Sequence, residues 1–228
     1  MKKVLLASAF LAAGLGFSNA GAQNRLVNGS FEDRVVTAAD TCQGATWCVR
    51  SFVSTPGWTQ FADGVDLIHN NYALNPGPQV LVSAFDGVNF LDMNQAGALG
   101  GLFQMVSATV GEQFHLSLET TAWATNSRGG TIGYELYDPA SNAVLASGSF
   151  TDPTGGTWTM RTLDTTAISN SIGVRIQGLF ATQAGMGLDN VVLTGQAVSA
   201  VPEPETYALL MVGFAGMGYV ARKRRQKA

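Results

Sequence analysis

From residue 113 onward, hydrophobic and polar positions alternate in short runs separated by turn formers. Over 113–119, Phe114, Leu116 and Leu118 fall on one side and Gln113, His115, Ser117 and Glu119 on the other. That two-residue period is the mark of a half-buried strand. Residues 131–137, 143–150, 157–163, 171–177 and 188–193 read in the same style. The breakers Asp138-Pro139, Asp152-Pro153-Thr154-Gly155-Gly156 and Ala184-Gly185-Met186-Gly187 separate them. No segment of the body keeps a helical period beyond two turns, and no linker or repeat divides it. The pattern predicts an all-β fold, an antiparallel jelly-roll β-sandwich, as a single domain over 23–198.

Both ends break that pattern. Residues 1–22 open with Lys2 and Lys3, run apolar over 4–17 and close on Ala20-Gly21-Ala22. This is the layout of a secretory signal peptide cut before Gln23. The apolar run is too short for the ~20 residues that a span requires. Residues 199–228 contain Pro202, Glu203 and Pro204, then an uncharged stretch over 206–221, then Arg222, Lys223, Arg224, Arg225 and Lys227. The stretch predicts a C-terminal transmembrane helix of ~24 Å, with its basic end cytoplasmic.

The order Pro-Glu-Pro, short apolar helix, basic terminus resembles the PEP-CTERM sorting signal. That resemblance implies a protein of the Gram-negative envelope, cut near Pro202–Pro204 by an exosortase-type transpeptidase. A permanent single-span anchor is the alternative.

Charge is segregated in the same way. Net charge over the whole chain is −3, but residues 23–198 hold six Arg, no Lys and fourteen Asp or Glu. Such a body repels polyphosphate and cannot release counterions from it, which excludes nucleic-acid binding. Cys42 and Cys48, the only cysteines, lie in the exported part and predict one short-loop disulfide.

Several weak motifs occur in order along the body. They are Leu26-Val27-Asn28-Gly29-Ser30-Phe31-Glu32, Gly57-Trp58, Asp86-Gly87-Val88-Asn89-Phe90-Leu91-Asp92, Gly101-Leu102-Phe103-Gln104 and Gly187-Leu188-Asp189-Asn190-Val191. Together they resemble the galactose-binding-like jelly rolls of choice-of-anchor C surface proteins, relatives of carbohydrate-binding modules. The resemblance implies adjacent first and last strands with a structural Ca²⁺ between them, held by Glu32 and Asp189 with Asn28 or Ser30. It also implies a glycan or exopolysaccharide setting.

Sugar recognition requires flat aromatic surfaces beside polar groups. Candidates are Trp123, Trp158, Tyr134 and Tyr137, with Asn126, Arg128, Gln177 and His115 as polar partners, while Trp58 is expected in the core. Catalytic patterns are poor: the two histidines, His69 and His115, lie far apart in sequence, and no nucleophile elbow, zinc helix or phosphate loop occurs. The expectation is a non-catalytic surface protein. The alternatives are a polysaccharide hydrolase using a carboxylate pair and a purely structural matrix protein.

Overall fold

The structure, a computed structural model, describes residues 23–33, 49–51, 55–70, 80–95, 98–180, 184–196 and 204–226. The expected signal peptide, the Cys42–Cys48 bridge, Pro202 and Glu203 lie outside these residues. The chain divides into two units, residues 1–196 and 197–228.

In the first unit the described strands are β1 (Val49–Ser51), β2 (Thr59–Ala62), β3 (Asp66–His69), β4 (Asn89–Asp92), β5 (Asn94–Gln95) and β6 (Ala98–Ser107). They continue as β7 (Gln113–Thr121), β8 (Gly130–Asp138), β9 (Ala143–Asp152), β10 (Thr159–Thr166), β11 (Ser171–Phe180) and β12 (Gly187–Gln196). One sheet has the order β1-β3-β4-β12-β7-β10. The other runs β2-β6-β11-β8-β9, with β5 paired to β6 off that path. Every described strand pair is antiparallel.

The jelly-roll sandwich expected from the alternation is therefore present. Phe114, Leu116, Leu118, Leu188 and Leu193 from the first sheet pack on Leu102, Ile132, Leu136, Ile172, Val174 and Ile176 from the second. Each fully buried aliphatic side chain here contributes ~1.5–3 kcal/mol relative to exposure.

A second, smaller core lies on the other face of the first sheet. Leu67 and Leu91 point into the sandwich, so their neighbours Ile68 and Phe90 point out of it. Ile68 and Phe90 are nonetheless buried, with Trp123, Ala124 and Ala184, against Val80, Val82, Ala84 and Trp158. The chain entering through the Val80–Ala124 bridge covers this outer face.

The first and last segments run side by side, as expected. Arg25 N–H donates to the Leu193 carbonyl at 2.7 Å, and Val191 N–H donates to the Gly29 carbonyl at 2.8 Å. A bulge between Asp189 and Val192 makes this possible. Asn190 adopts φ 46° there, which re-aims Val191 away from β7.

The second unit contains α1 (Pro204–Arg225), with Arg222, Lys223, Arg224 and Arg225 in its last turn. The helix is as expected; the span is not. The uncharged stretch is bounded by Glu205 and Arg222, and no described helix is long and apolar enough to cross a membrane.

Candidate functional site

The residues expected to hold calcium do something else. Glu32 Oε1 accepts Val88 N–H at 2.8 Å and Asn89 N–H at 2.7 Å, while Oε2 accepts the Asn89 side-chain amide at 3.0 Å. Asp189 Oδ2 accepts Phe85 N–H at 2.7 Å and Asp86 N–H at 3.0 Å, and its Oδ1 accepts Asn190 N–H at 2.7 Å. All four carboxylate oxygens thus receive N–H donors, and three of them, both of Glu32 and Oδ2 of Asp189, grip the 85–89 turn from two sides. Gly87 adopts φ 80° in that turn, and a Cβ there would fall 2.4 Å from the Glu32 carboxyl carbon.

Asn28 is likewise occupied: its Oδ1 accepts Asp33 N–H at 2.9 Å and its amide donates to the Asp33 and Pro56 carbonyls. Asn28 and Ser30 do line a polar pocket of about 300 Å³ with Glu32 and Asn190, but the fully buried Asp189 does not reach it. Burial pushes the Asp189 pKa up to about 7, against the pull of its N–H donors. Among the described residues no three acids, histidines or cysteines are placed to hold a metal. Each of these carboxylate oxygens keeps a lone pair beside its N–H donor, and a calcium ion there would need backbone carbonyls to complete its six to eight oxygens.

The leading aromatic candidates also fall elsewhere. Trp123 is 3% exposed, packed edge-on to Phe90 at 5.9 Å in the second core. Tyr134 points inward with Ile132 and Leu136, since residues two apart on a strand share a face. Neither is more than 8% exposed, though Tyr134 lines a groove with Gly133 and Gly148. Trp158 is half-buried, edge-on to Phe85 and Phe90, and its Nε1 donates to the Ser83 carbonyl at 2.8 Å. It holds the covering segment down on the first sheet. Asn126 lies in a 3-10 turn, Thr125–Ser127, and Arg128 is exposed beside it. His115 pairs with Asp164 at 2.8 Å on the outer face of the first sheet. His69, on β3, is three strand spacings from β7, roughly 14 Å.

Among the candidates Gln177 reaches the open outer side of the second sheet, Tyr137 points to that side but is 6% exposed under the Arg175 guanidinium, and Tyr134 lines the groove there. Because Ile172, Val174 and Ile176 point into the core, the alternate positions of β11 point away from it. Register then lays out one row across five strands: Thr59, Phe103, Arg175, Glu135 and Ser147. The next row is Phe61, Gly101, Gln177, Gly133 and Ser149. Each row spans roughly 19 Å.

Glycines on this face make room for rings. A Cβ on Gly101 would lie 2.3 Å from the Phe61 ring, and one on Gly173 would lie 2.2 Å from the Tyr137 ring. Phe61 and Phe103 are 6.3 Å apart, tilted at 44°. The Arg175 guanidinium stacks 4.6 Å from the centre of the Tyr137 ring, ion-pairs with Glu135 and donates to Asn142 Oδ1 at 3.3 Å. Burial raises the Tyr137 pKa, Arg175 opposes that shift and Glu135 adds to it, so the hydroxyl stays a proton donor at neutral pH. A groove of about 460 Å³ opens between Arg175, Gln177, Leu179, Glu135, Ser147 and Ser149. Phe61, Phe103, Glu135 and Arg175 are absent from the sequence-derived candidates. For the last two the signal was present, because the alternation of β8 and β11 puts both outward.

The two units can be compared with known proteins separately. Residues 200–225 match the PEP-CTERM protein-sorting motif. A PEP-CTERM tail marks an exported, surface-sorted protein. No match is found among curated protein sequences. The body is similar to a solved structure of TmCBM61 in complex with β-1,4-galactotriose, at TM-score 0.51 and 14% identity, over 77% of this chain and 100% of that one. It is also similar to a family 16 carbohydrate-binding module, at TM-score 0.43 and 16% identity, over 75% and 99% of the two chains. A third likeness is to the CBM22-1 xylan-binding domain of Paenibacillus barcinonensis Xyn10C, at TM-score 0.41 and 16% identity, over 63% and 89%. At 14% identity the likeness to TmCBM61 shows the fold alone, in the unit that precedes the PEP-CTERM tail.

Proposed function

We propose that the protein is a non-catalytic glycan-binding protein of the cell surface, whose open sheet face holds a polysaccharide chain. One observation carries this reading: a solvent-facing sheet on which aromatic rings, an amide and hydroxyls stand in register beside a groove of about 460 Å³. Rings supply area against sugar C–H groups, and Gln177, Ser147 and Ser149 supply hydrogen bonds to hydroxyls. The similarity of fold to a module solved with a galactan trisaccharide supports the same ligand class.

In this reading the PEP-CTERM tail is the substrate of an exosortase-type enzyme that cuts near Pro202–Pro204. It delivers the body to the outer envelope of a Gram-negative cell, among its exopolysaccharide. A glycan array probed with the full chain tests the binding reading: retention of at least one polysaccharide is expected, and complete absence of retention overturns it. Release of shortened sugars from a retained polymer would replace it with the hydrolase. The intact mass of protein recovered from the cell surface tests the tail: loss of the residues after the cut is expected, and their retention overturns processing.

A further inference from the structure

Charge on the open face of the second sheet centres on one ion pair, Arg175–Glu135. Arg175 is the only cation among the described strand residues of that face, and it stands mid-row between Phe103 and Glu135. Its Nε and Nη2 face Glu135, its Nη1 donates to Asn142 Oδ1, and the guanidinium lies against the Tyr137 ring. Both partners of the pair are mostly covered, with side chains 27% and 21% exposed. A carboxylate or sulfate on an incoming sugar would meet the Glu135 carboxylate beside this arginine. The remaining polar groups of the face, Gln177, Ser147 and Ser149, are neutral. Around them the body carries six Arg against fourteen Asp and Glu.

Resting on the reading of this face as a glycan platform, we propose that it selects uncharged sugar chains, with the Arg175–Glu135 pair as the specificity determinant. Glu135 neutralises the one cation that would otherwise recruit uronate or sulfate groups, and the acidic field of the body repels what remains. Arg175 thereby serves as a flat polar surface with its ring partner, not as an anion site.

The test pairs each neutral polysaccharide that carries a C6 hydroxyl, β-1,4-galactan among them, with the same polymer oxidised at C6 to its uronate, and salt dependence isolates the charge. Full-length protein is titrated with both. The neutral member is expected to bind at least tenfold tighter, and E135Q is expected to narrow or reverse that ratio. Rising salt is expected to improve binding of the oxidised polymer to the wild type, because screening weakens repulsion. Equal or tighter wild-type binding of the oxidised polymer, or its weakening by salt, overturns the selection. Should E135Q fail to fold, the wild-type ratio and its salt dependence decide alone. Binding of neither member of any pair overturns the glycan reading itself, which separates the two failures.

Discussion

The two sheets of this sandwich have outer faces with opposite fates. On the first sheet, Ile68 and Phe90 point outward and are then roofed by the 80–85 segment, Trp123 and Trp158, making a second core. On the second sheet, Phe61, Phe103, Tyr137 and Arg175 point outward, Phe61 and Tyr137 over Gly101 and Gly173, and no described segment covers the groove beside them. Both faces are rich in aromatic side chains. The difference is whether a loop is fastened over them, and the fastenings on the first sheet are Glu32, Asp189 and Trp158, which hold residues 83–89 by hydrogen bonds. An aromatic residue in a β-sandwich is therefore a candidate for binding only after the loops have been placed.

The largest expected break in this contrast is Trp123→Ala, which should lower stability by ~3–5 kcal/mol through the cavity left in the second core. Denaturant unfolding measures it. A cost typical of a surface change would mean that the roof does not form.

The pH dependence of the roof is next. The Asp189 carboxyl has its folded-state pKa raised to about 7 from an ordinary 3.8, so the buried site favours the neutral acid. Its contribution to stability is complete below the ordinary value and is lost as pH rises through about 7. The melting temperature should fall between acidic and mildly alkaline pH, and Asp189→Asn should flatten that fall. A wild-type profile that rises over the same range would contradict the burial argument.

A smaller effect is expected on the open face. Gln177→Ala should weaken glycan binding by roughly 3–10-fold, the loss of one hydrogen bond, with little change in melting temperature. The smallest effect is expected from chelation. With every Glu32 and Asp189 oxygen already receiving an N–H, adding a calcium chelator should leave the melting temperature where it was. A clear drop would restore calcium to these residues.

What was legible in the sequence follows from how far apart the interacting residues are. Strands β7 to β12 are eight to ten residues long, enough for several periods of alternation, and each was readable within a few residues of its observed ends. Strands β1 to β5 are two to four residues long, too short to show a period. The family resemblance carried by the motifs at 26–32 and 187–191 implied the first segment beside the last, and the backbone bonds of Arg25 to Leu193 and of Val191 to Gly29 agree with it. Which partner each carboxylate would take was not local. Glu32 and Asp189 meet a turn more than fifty and a hundred residues away in sequence, and nothing near them signals that its donors are backbone N–H groups. Trp123 and Trp158 looked like binding residues because their polar neighbours suggested exposure, whereas a distant segment covers them. Arg175 and Glu135 could each be placed outward by alternation, but their pairing depends on β11 lying next to β8, which the sequence order does not reveal.

The account depends most on the second sheet's open face being where sugar is held. The direct measurement is a titration of one retained polysaccharide against Phe103→Ala and Trp158→Ala, with affinities referred to the folded fraction. Phe103→Ala is expected to cost about 1–2 kcal/mol of binding, roughly ten- to thirty-fold, while Trp158→Ala leaves the affinity of folded molecules unchanged. The reverse result, with affinity lost through Trp158 and retained without Phe103, would put the sugar at the roofed end of the first sheet and contradict the account.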